Sequence, residues 1–264
     1  MRKTIISSLF ALIILFGAPL GAAEYRYFAG DLDALYAQLP PPPPDDSVAG
    51  QADLEALYQI QKDRTPEQVG RAKNVHALNL MEMGRHVFGP EFTADKLPRT
   101  AAFLKEVNME RHYIVHVAKK QWPRARPYDR GAGIKPCVRT YPSTNPEYPS
   151  YPSGHAAAGS LLAVFYSEAA PEYARLFDER ARETAWARVL AGMHYPSDTL
   201  AGKQFGRLIA REMLKNPITR EAVGKMRAEV QAFLKQNPEA GARAREQLQK
   251  LETEYPSEPA KNPF

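Results

Sequence analysis

The sequence predicts an all-α protein. Apolar residues recur at intervals of three and four through most of the chain, few stretches alternate with the period of two that a strand needs, and a long irregular stretch is dense in proline and glycine. At 264 residues and 29.5 kDa there is chain enough for one substantial core or two small ones.

Residues 1–23 have the pattern of a secretory signal: Arg2 and Lys3, an apolar run from Ile5 to Phe16, then Gly21-Ala22-Ala23 for cleavage. The run is short and broken by Gly17 and Pro19, which argues against a retained anchor, and no later stretch is long enough to cross a membrane. The mature chain is expected to begin near Glu24, in a periplasm or outside the cell, without stable membrane insertion. Residues 24–50 read as an N-terminal arm. Leu32, Leu35, Tyr36 and Leu39 give it apolar contacts, and the five prolines at 40–44 stiffen it as polyproline II.

A helical domain is expected over 51–216. Leu54, Leu57 and Tyr58 mark its first helix, and Thr65-Pro66-Glu67-Gln68 forms a capping box with proline at the first helical position of the second. That second helix is read through Val69, Ala72, Val75 or His76, Leu80 and Met83, ending at Gly84 and Gly89-Pro90. A third begins near Leu97-Pro98, shows Leu104, Val107, Ile114, Val117 and Ala118, and carries Lys119 in its last turn. Residues 121–153 are loop-like, and a loop of this length inside a compact domain is commonly functional. Helical pattern returns at Ala156–Ser167, Pro171–Leu190 and Asp198–Leu214, where Leu200, Leu208, Ile209 and Met213 line one face. Residues 217–264 form a charged helical tail with a narrow stripe of Val223, Met226, Val230, Phe233 and Leu234, then a polar stretch after Glu252. The arm and this stripe are both available for contacts between subunits, so a homo-oligomer is a possible partner state.

Composition excludes several functions. With 35 basic and 30 acidic residues the net charge is +5, and without Arg2 and Lys3 the balance is 33 to 30, too small to indicate nucleic acid. Cys137 is the only cysteine, so no intramolecular disulfide forms. His112 and His116 share a helix face at metal-ligand spacing, but Tyr113 stands where a zinc protease has glutamate and no third ligand is evident, so no metal site is assigned.

Three segments carry the chemistry. Tyr-Pro-Ser occurs five times, but only the copy at 151–153 is followed by Gly154-His155 and an alanine-rich helix. Ser153 is then the N-cap, Gly154 lets a ligand approach the backbone, and the helix start offers N–H groups to an anion, with His155 beside it as a proton donor. His194 and Asp198 flank a turn at Pro196, so the carboxylate can take the Nδ1 proton and leave Nε2 as a nucleophile. Lys119, Arg126 and Arg188 supply three cations for a phosphoryl group. Lys120, Arg124, Arg130 and Arg139 read as ordinary solvated charges. The glycine-flanked elbow of serine hydrolases is absent around Ser153, which argues against it as a nucleophile.

With these residues in place, the chain resembles the PAP2 phosphatase superfamily and, within it, the secreted class A bacterial non-specific acid phosphatases. The resemblance rests on Lys119, six residues, Arg126-Pro127; on Pro152-Ser153-Gly154-His155; and on Arg188, five residues, His194, three residues, Asp198. One position departs, Ala187, where the family has serine. The resemblance implies a helical bundle of the acid phosphatase and haloperoxidase type and hydrolysis of small phosphate monoesters with no metal or other cofactor. Lys119, Arg126, Ser153, Gly154 and Arg188 then bind phosphate, His155 is the general acid, His194 the nucleophile and Asp198 its partner. Vanadium haloperoxidase, lipid-phosphate phosphatase and a non-catalytic phosphate-binding protein are the alternative readings.

Overall fold

The computed structural model describes residues 25–130, 133–140 and 148–255; the signal segment, the first Tyr-Pro-Ser copy and the extreme C-terminus lie outside the described residues. Among them there is no strand, and ten α-helices run α1 (Leu32–Tyr36), α2 (Val48–Asp63), α3 (Pro66–His76), α4 (Glu82–Phe88), α5 (Pro98–Gln121), α6 (Gly154–Ala169), α7 (Ala174–Leu190), α8 (Pro196–Lys215), α9 (Pro217–Gln236) and α10 (Pro238–Glu254). The all-α expectation holds. No helix of the described residues is long and apolar enough to cross a membrane.

At the centre stands α6. Its residues 156–163 are all buried, because alanine, glycine and serine side chains let neighbouring helices close on it from several sides. α7 and α8 flank it directly, and α5 and α9 pack against it as well. The approach of α8 requires glycine: a Cβ on Gly206 would stand 2.1 Å from the carbonyl oxygen of Ala157, and one on Gly202 2.4 Å from that of Ser153. Two backbones are thus brought together where the Ser153 turn meets the start of α8, and the Ser153 N–H donates to the Asp198 carbonyl at 3.0 Å.

The capping box at Thr65 forms as the sequence indicates, but the helix that follows does not run on to Met83. It ends at His76. Leu78 takes a left-handed φ of 43°, and the Asn79 side chain accepts from the Met81 N–H, so the chain breaks before α4 and Gly84 lies inside that shorter helix. The physical reason is local: a side-chain acceptor two residues upstream captures an N–H that a continuing helix would have used. Leu200 is also misplaced by the helical stripe, being exposed while Ile209 and Met213 are fully buried.

The tail folds back on the body. Val223, Met226, Val230 and Phe233 of α9 are buried in the main core, and Ala240 and Ala244 of α10 join them. At the other end, Tyr27, Leu35, Tyr36 and Leu39 of the arm are buried in the same core. Glu110 receives the N–H groups of Arg26, Tyr27 and Phe28, which fastens the start of the arm to α5.

Candidate active site

α7 ends in a turn that delivers two site residues together. Gly192, at φ 72°, donates its N–H to the Val189 carbonyl at 2.8 Å, and Met193 donates to the Arg188 carbonyl at 3.1 Å. These paired bonds around a left-handed glycine are a Schellman closure, and they reverse the chain within one turn. Arg188 is left on the last turn of α7 and His194 just beyond the reversal, which is why a spacing of six residues keeps the Arg188 charge within reach of the imidazole. Pro196 then starts α8, and Asp198 in its first turn accepts from the Tyr195 N–H at 2.9 Å.

His194 is buried, with its Nε2 3.0 Å from an Arg126 guanidinium nitrogen. Arginine has no acceptor, so Nε2 accepts and the ring hydrogen sits on Nδ1. Nδ1 lies 3.4 Å from Asp198 Oδ2 and 3.4 Å from Ser150 Oγ. The imidazole therefore presents a lone pair on Nε2 toward the cations, with its hydrogen directed at the carboxylate.

Lys119 and Arg188 also lie close enough for their charges to act on this imidazole. Arg126 also donates to the Met193 and Tyr148 carbonyls, at 3.0 and 3.1 Å. Lys119 is buried at the end of α5, its Nζ donating to the Pro149 and Ser150 carbonyls at 2.6 and 3.2 Å. Arg188 is fully buried and donates to Nδ1 of His76 at 3.2 Å. Ser153 is buried as the N-cap of α6, its Oγ accepting from the Ala156 N–H, so the N–H groups of Gly154 and His155 open the helix with no carbonyl a turn earlier to bond them. His155 is half-buried and stacks on His76, ring centroids 6.1 Å apart, with its Nε2 3.3 Å from the His76 carbonyl.

Electrostatics at the site follow from burial and, after it, from gathered positive charge. Burial, then Arg126, holds the Lys119 ammonium well below its usual range, and burial with Arg126, Lys119 and Arg188 does the same to the His194 imidazole. Burial and then Arg188 bring His155 down to about 3. A phosphate dianion among these groups adds negative charge and moves all three upward.

All eight residues singled out in the sequence lie around the α6 start, the α7–α8 turn and the end of α5. Five others were not assigned a role. Arg124 is not a solvated charge but is 7 % exposed, and it binds Asp198 Oδ1 at 2.7 Å and Asp53 Oδ2 at 2.9 Å. Ser150 donates to Asp198 Oδ2 at 2.5 Å, and buried Arg111 donates to the Gly154 carbonyl at 3.2 Å. His76 joins Arg188 to His155. Ser150 was hidden by the repetition of Tyr-Pro-Ser, and Asp53 and His76 by lying on helices far upstream with no motif around them. Ala187 packs with Ala72, Leu190, Ala191 and Met193, an apolar setting in which a serine hydroxyl has little to gain.

A family model described as the PAP2 superfamily matches residues 109–221, the span that carries the three segments. A non-specific acid phosphatase of Salmonella typhimurium is 32% identical over 229 residues, covering 82% of this chain and 91% of the relative. The chain belongs to the PAP2 superfamily. A non-specific acid phosphatase of Salmonella typhi is 29% identical with the same coverage of each chain. Among solved structures, a bacterial vanadium-dependent iodoperoxidase superposes with a TM-score of 0.51 at 18% identity, over 68% of this PAP2 chain and 53% of its own. That likeness is one of fold. Among the described residues no group of three or more His, Cys, Asp or Glu side chains is arranged to hold a metal ion.

Proposed function

We propose that this PAP2 chain is an exported acid phosphatase that hydrolyses phosphate monoesters of varied alcohols through a phosphohistidine at His194, without a metal. The observation that carries the reading is the tautomer of His194: Nε2 carries the lone pair and points into the cations, while Nδ1–H faces Asp198. The names of the relatives and the family support phosphatase function.

In the first half-reaction Nε2 attacks phosphorus in line, the P–O bond to the alcohol breaks, and His155 gives its proton to the departing oxygen. Lys119, Arg126, Arg188 and the N–H groups opening α6 hold the three non-bridging oxygens. In the second, neutral His155 takes a proton from water, the oxygen attacks phosphorus, and the P–N bond breaks to release inorganic phosphate and return the starting imidazole. Every proton taken up in one half is given back in the other.

His194→Ala is expected to abolish p-nitrophenyl phosphate hydrolysis while the far-ultraviolet circular dichroism stays that of the wild type. Wild-type enzyme quenched in base with labelled phosphate ester should carry acid-labile label on His194, and full activity should persist in chelator. Undiminished turnover by His194→Ala refutes the nucleophile. Export is read from the N-terminus of the protein recovered outside the cytoplasm, expected near Glu24.

A further inference from the structure

We infer that Arg124, shared between Asp53 of α2 and Asp198 of α8, is a positioning residue that fixes the Asp198 carboxylate and through it the tautomer of His194. The inference rests on the proposed reaction and adds to it Arg124, which holds none of the defining positions of the sequence motifs, and Asp53, which lies outside the matched residues 109–221.

The geometry is a closed ring. One terminal nitrogen of Arg124 donates to Asp198 Oδ1 at 2.7 Å and to Ser197 Oγ at 2.8 Å; the other donates to Asp53 Oδ2 at 2.9 Å. Asp53 in turn accepts from the Ser197 N–H at 3.0 Å and from the Ser197 hydroxyl. The guanidinium lies 4.0 Å from the centroid of the Tyr195 ring, whose residue immediately follows His194. Arg124, Asp53 and Asp198 are all buried.

Each contact constrains Asp198. A carboxylate rotates about χ2 at small cost unless both oxygens are held. Oδ1 is held by Arg124, while Oδ2 accepts from Ser150 Oγ at 2.5 Å and from the Tyr195 N–H at 2.9 Å, which leaves it aimed at Nδ1 of His194. A planar fork suits this place because it reaches two carboxylates on two helices at once and stacks on an aromatic ring; a lysine ammonium does none of this. The buried arginine pairs with both acids, so each of the three is costly to remove alone. By this route α2, far upstream in the sequence, becomes part of the machinery that sets the nucleophile.

The test combines kinetics with the nitrogen spectrum of the ring. Arg124→Gln is expected to lower kcat for p-nitrophenyl phosphate about 10²-fold, as for groups that orient a reacting side chain, with KM within about twofold. Arg124→Lys should not rescue it. In protein labelled with ¹⁵N-histidine, the His194 signals, assigned by their loss in His194→Ala, should report Nδ1–H in the wild type and a mixture of tautomers in Arg124→Gln. Asp53→Asn, which keeps the shape but removes a charge, should lower kcat about 3- to 10-fold. Wild-type kcat in folded Arg124→Gln, or an unchanged nitrogen spectrum, overturns the inference; should Arg124→Gln fail to fold, an unchanged kcat in Asp53→Asn does so. A wild-type protein with no phosphatase activity sinks the proposed reaction, and the nitrogen spectra still decide the role of Arg124.

Discussion

The surroundings of His155 define what it can do: the His76 carbonyl lies 3.3 Å from its Nε2, while burial and then the Arg188 charge drive its proton off. Its value as an acid then depends on the anion beside it and on how much the leaving oxygen needs a proton. p-Nitrophenolate leaves readily as an anion, whereas an alkoxide does not. His155→Asn is therefore expected to slow alcohol release in the first turnover of an alkyl phosphate by about 10²- to 10⁴-fold, and that of p-nitrophenyl phosphate far less. Rapid-quench comparison of the two esters checks this. Equal losses for both would mean that His155 binds phosphate rather than donating a proton.

At the scale of elements, the site depends on α8 lying closer to α6 than any side chain would permit. Gly206→Ala places a methyl group 2.1 Å from a backbone oxygen that cannot turn aside, so the helices must part. A loss of about 1–3 kcal/mol is expected, as for other overpacked cores, with reduced kcat because Ser153 and Asp198 separate with the helices. Gly224 in α9 is the contrast: nothing lies within 4 Å of its added Cβ, and Gly224→Ala should stabilise by about 0.5–1 kcal/mol. Urea unfolding of both variants measures the difference, and a destabilised Gly224→Ala would count against the helix-propensity argument. The same elements show what the sequence made legible. Helical period, the Thr65 box and Pro98 located most helices, because those signals act within a few residues. The three motif segments could be read because each keeps its spacing within one turn or one helix end, as the Gly192 reversal does for Arg188 and His194. Arg124, Asp53 and His76 could not be read, because their roles come from contacts between helices distant in sequence. A lone arginine near a phosphate motif looks the same whether it faces water or two buried acids.

For the whole molecule, burying histidines and gathering cations around them has a cost that appears as pH falls. An imidazole whose pKa is lower in the folded chain than in the unfolded one binds fewer protons when folded, so stability rises with pH across the interval between the two values. For His155 that interval runs from about 3 in the folded protein to the ordinary value of 6.5, and His194 shifts in the same direction. The melting temperature should therefore fall as pH is lowered through 6.5, and His155→Asn should flatten that slope, leaving the part due to His194, His76, His86, His112 and the acidic side chains. Sulfate remains a dianion over this range. Bound among Lys119, Arg126 and Arg188 it raises the pKa of both imidazoles, so proton uptake accompanies binding, and the stabilisation by a fixed sulfate concentration should grow as pH falls. Differential scanning fluorimetry of wild type and His155→Asn, with and without sulfate, measures all of this. If the two proteins show parallel pH slopes, the His155 imidazole is not shifted by its burial and the Arg188 charge, and if sulfate protects equally at pH 7 and pH 5, a bound dianion does not act on the imidazoles.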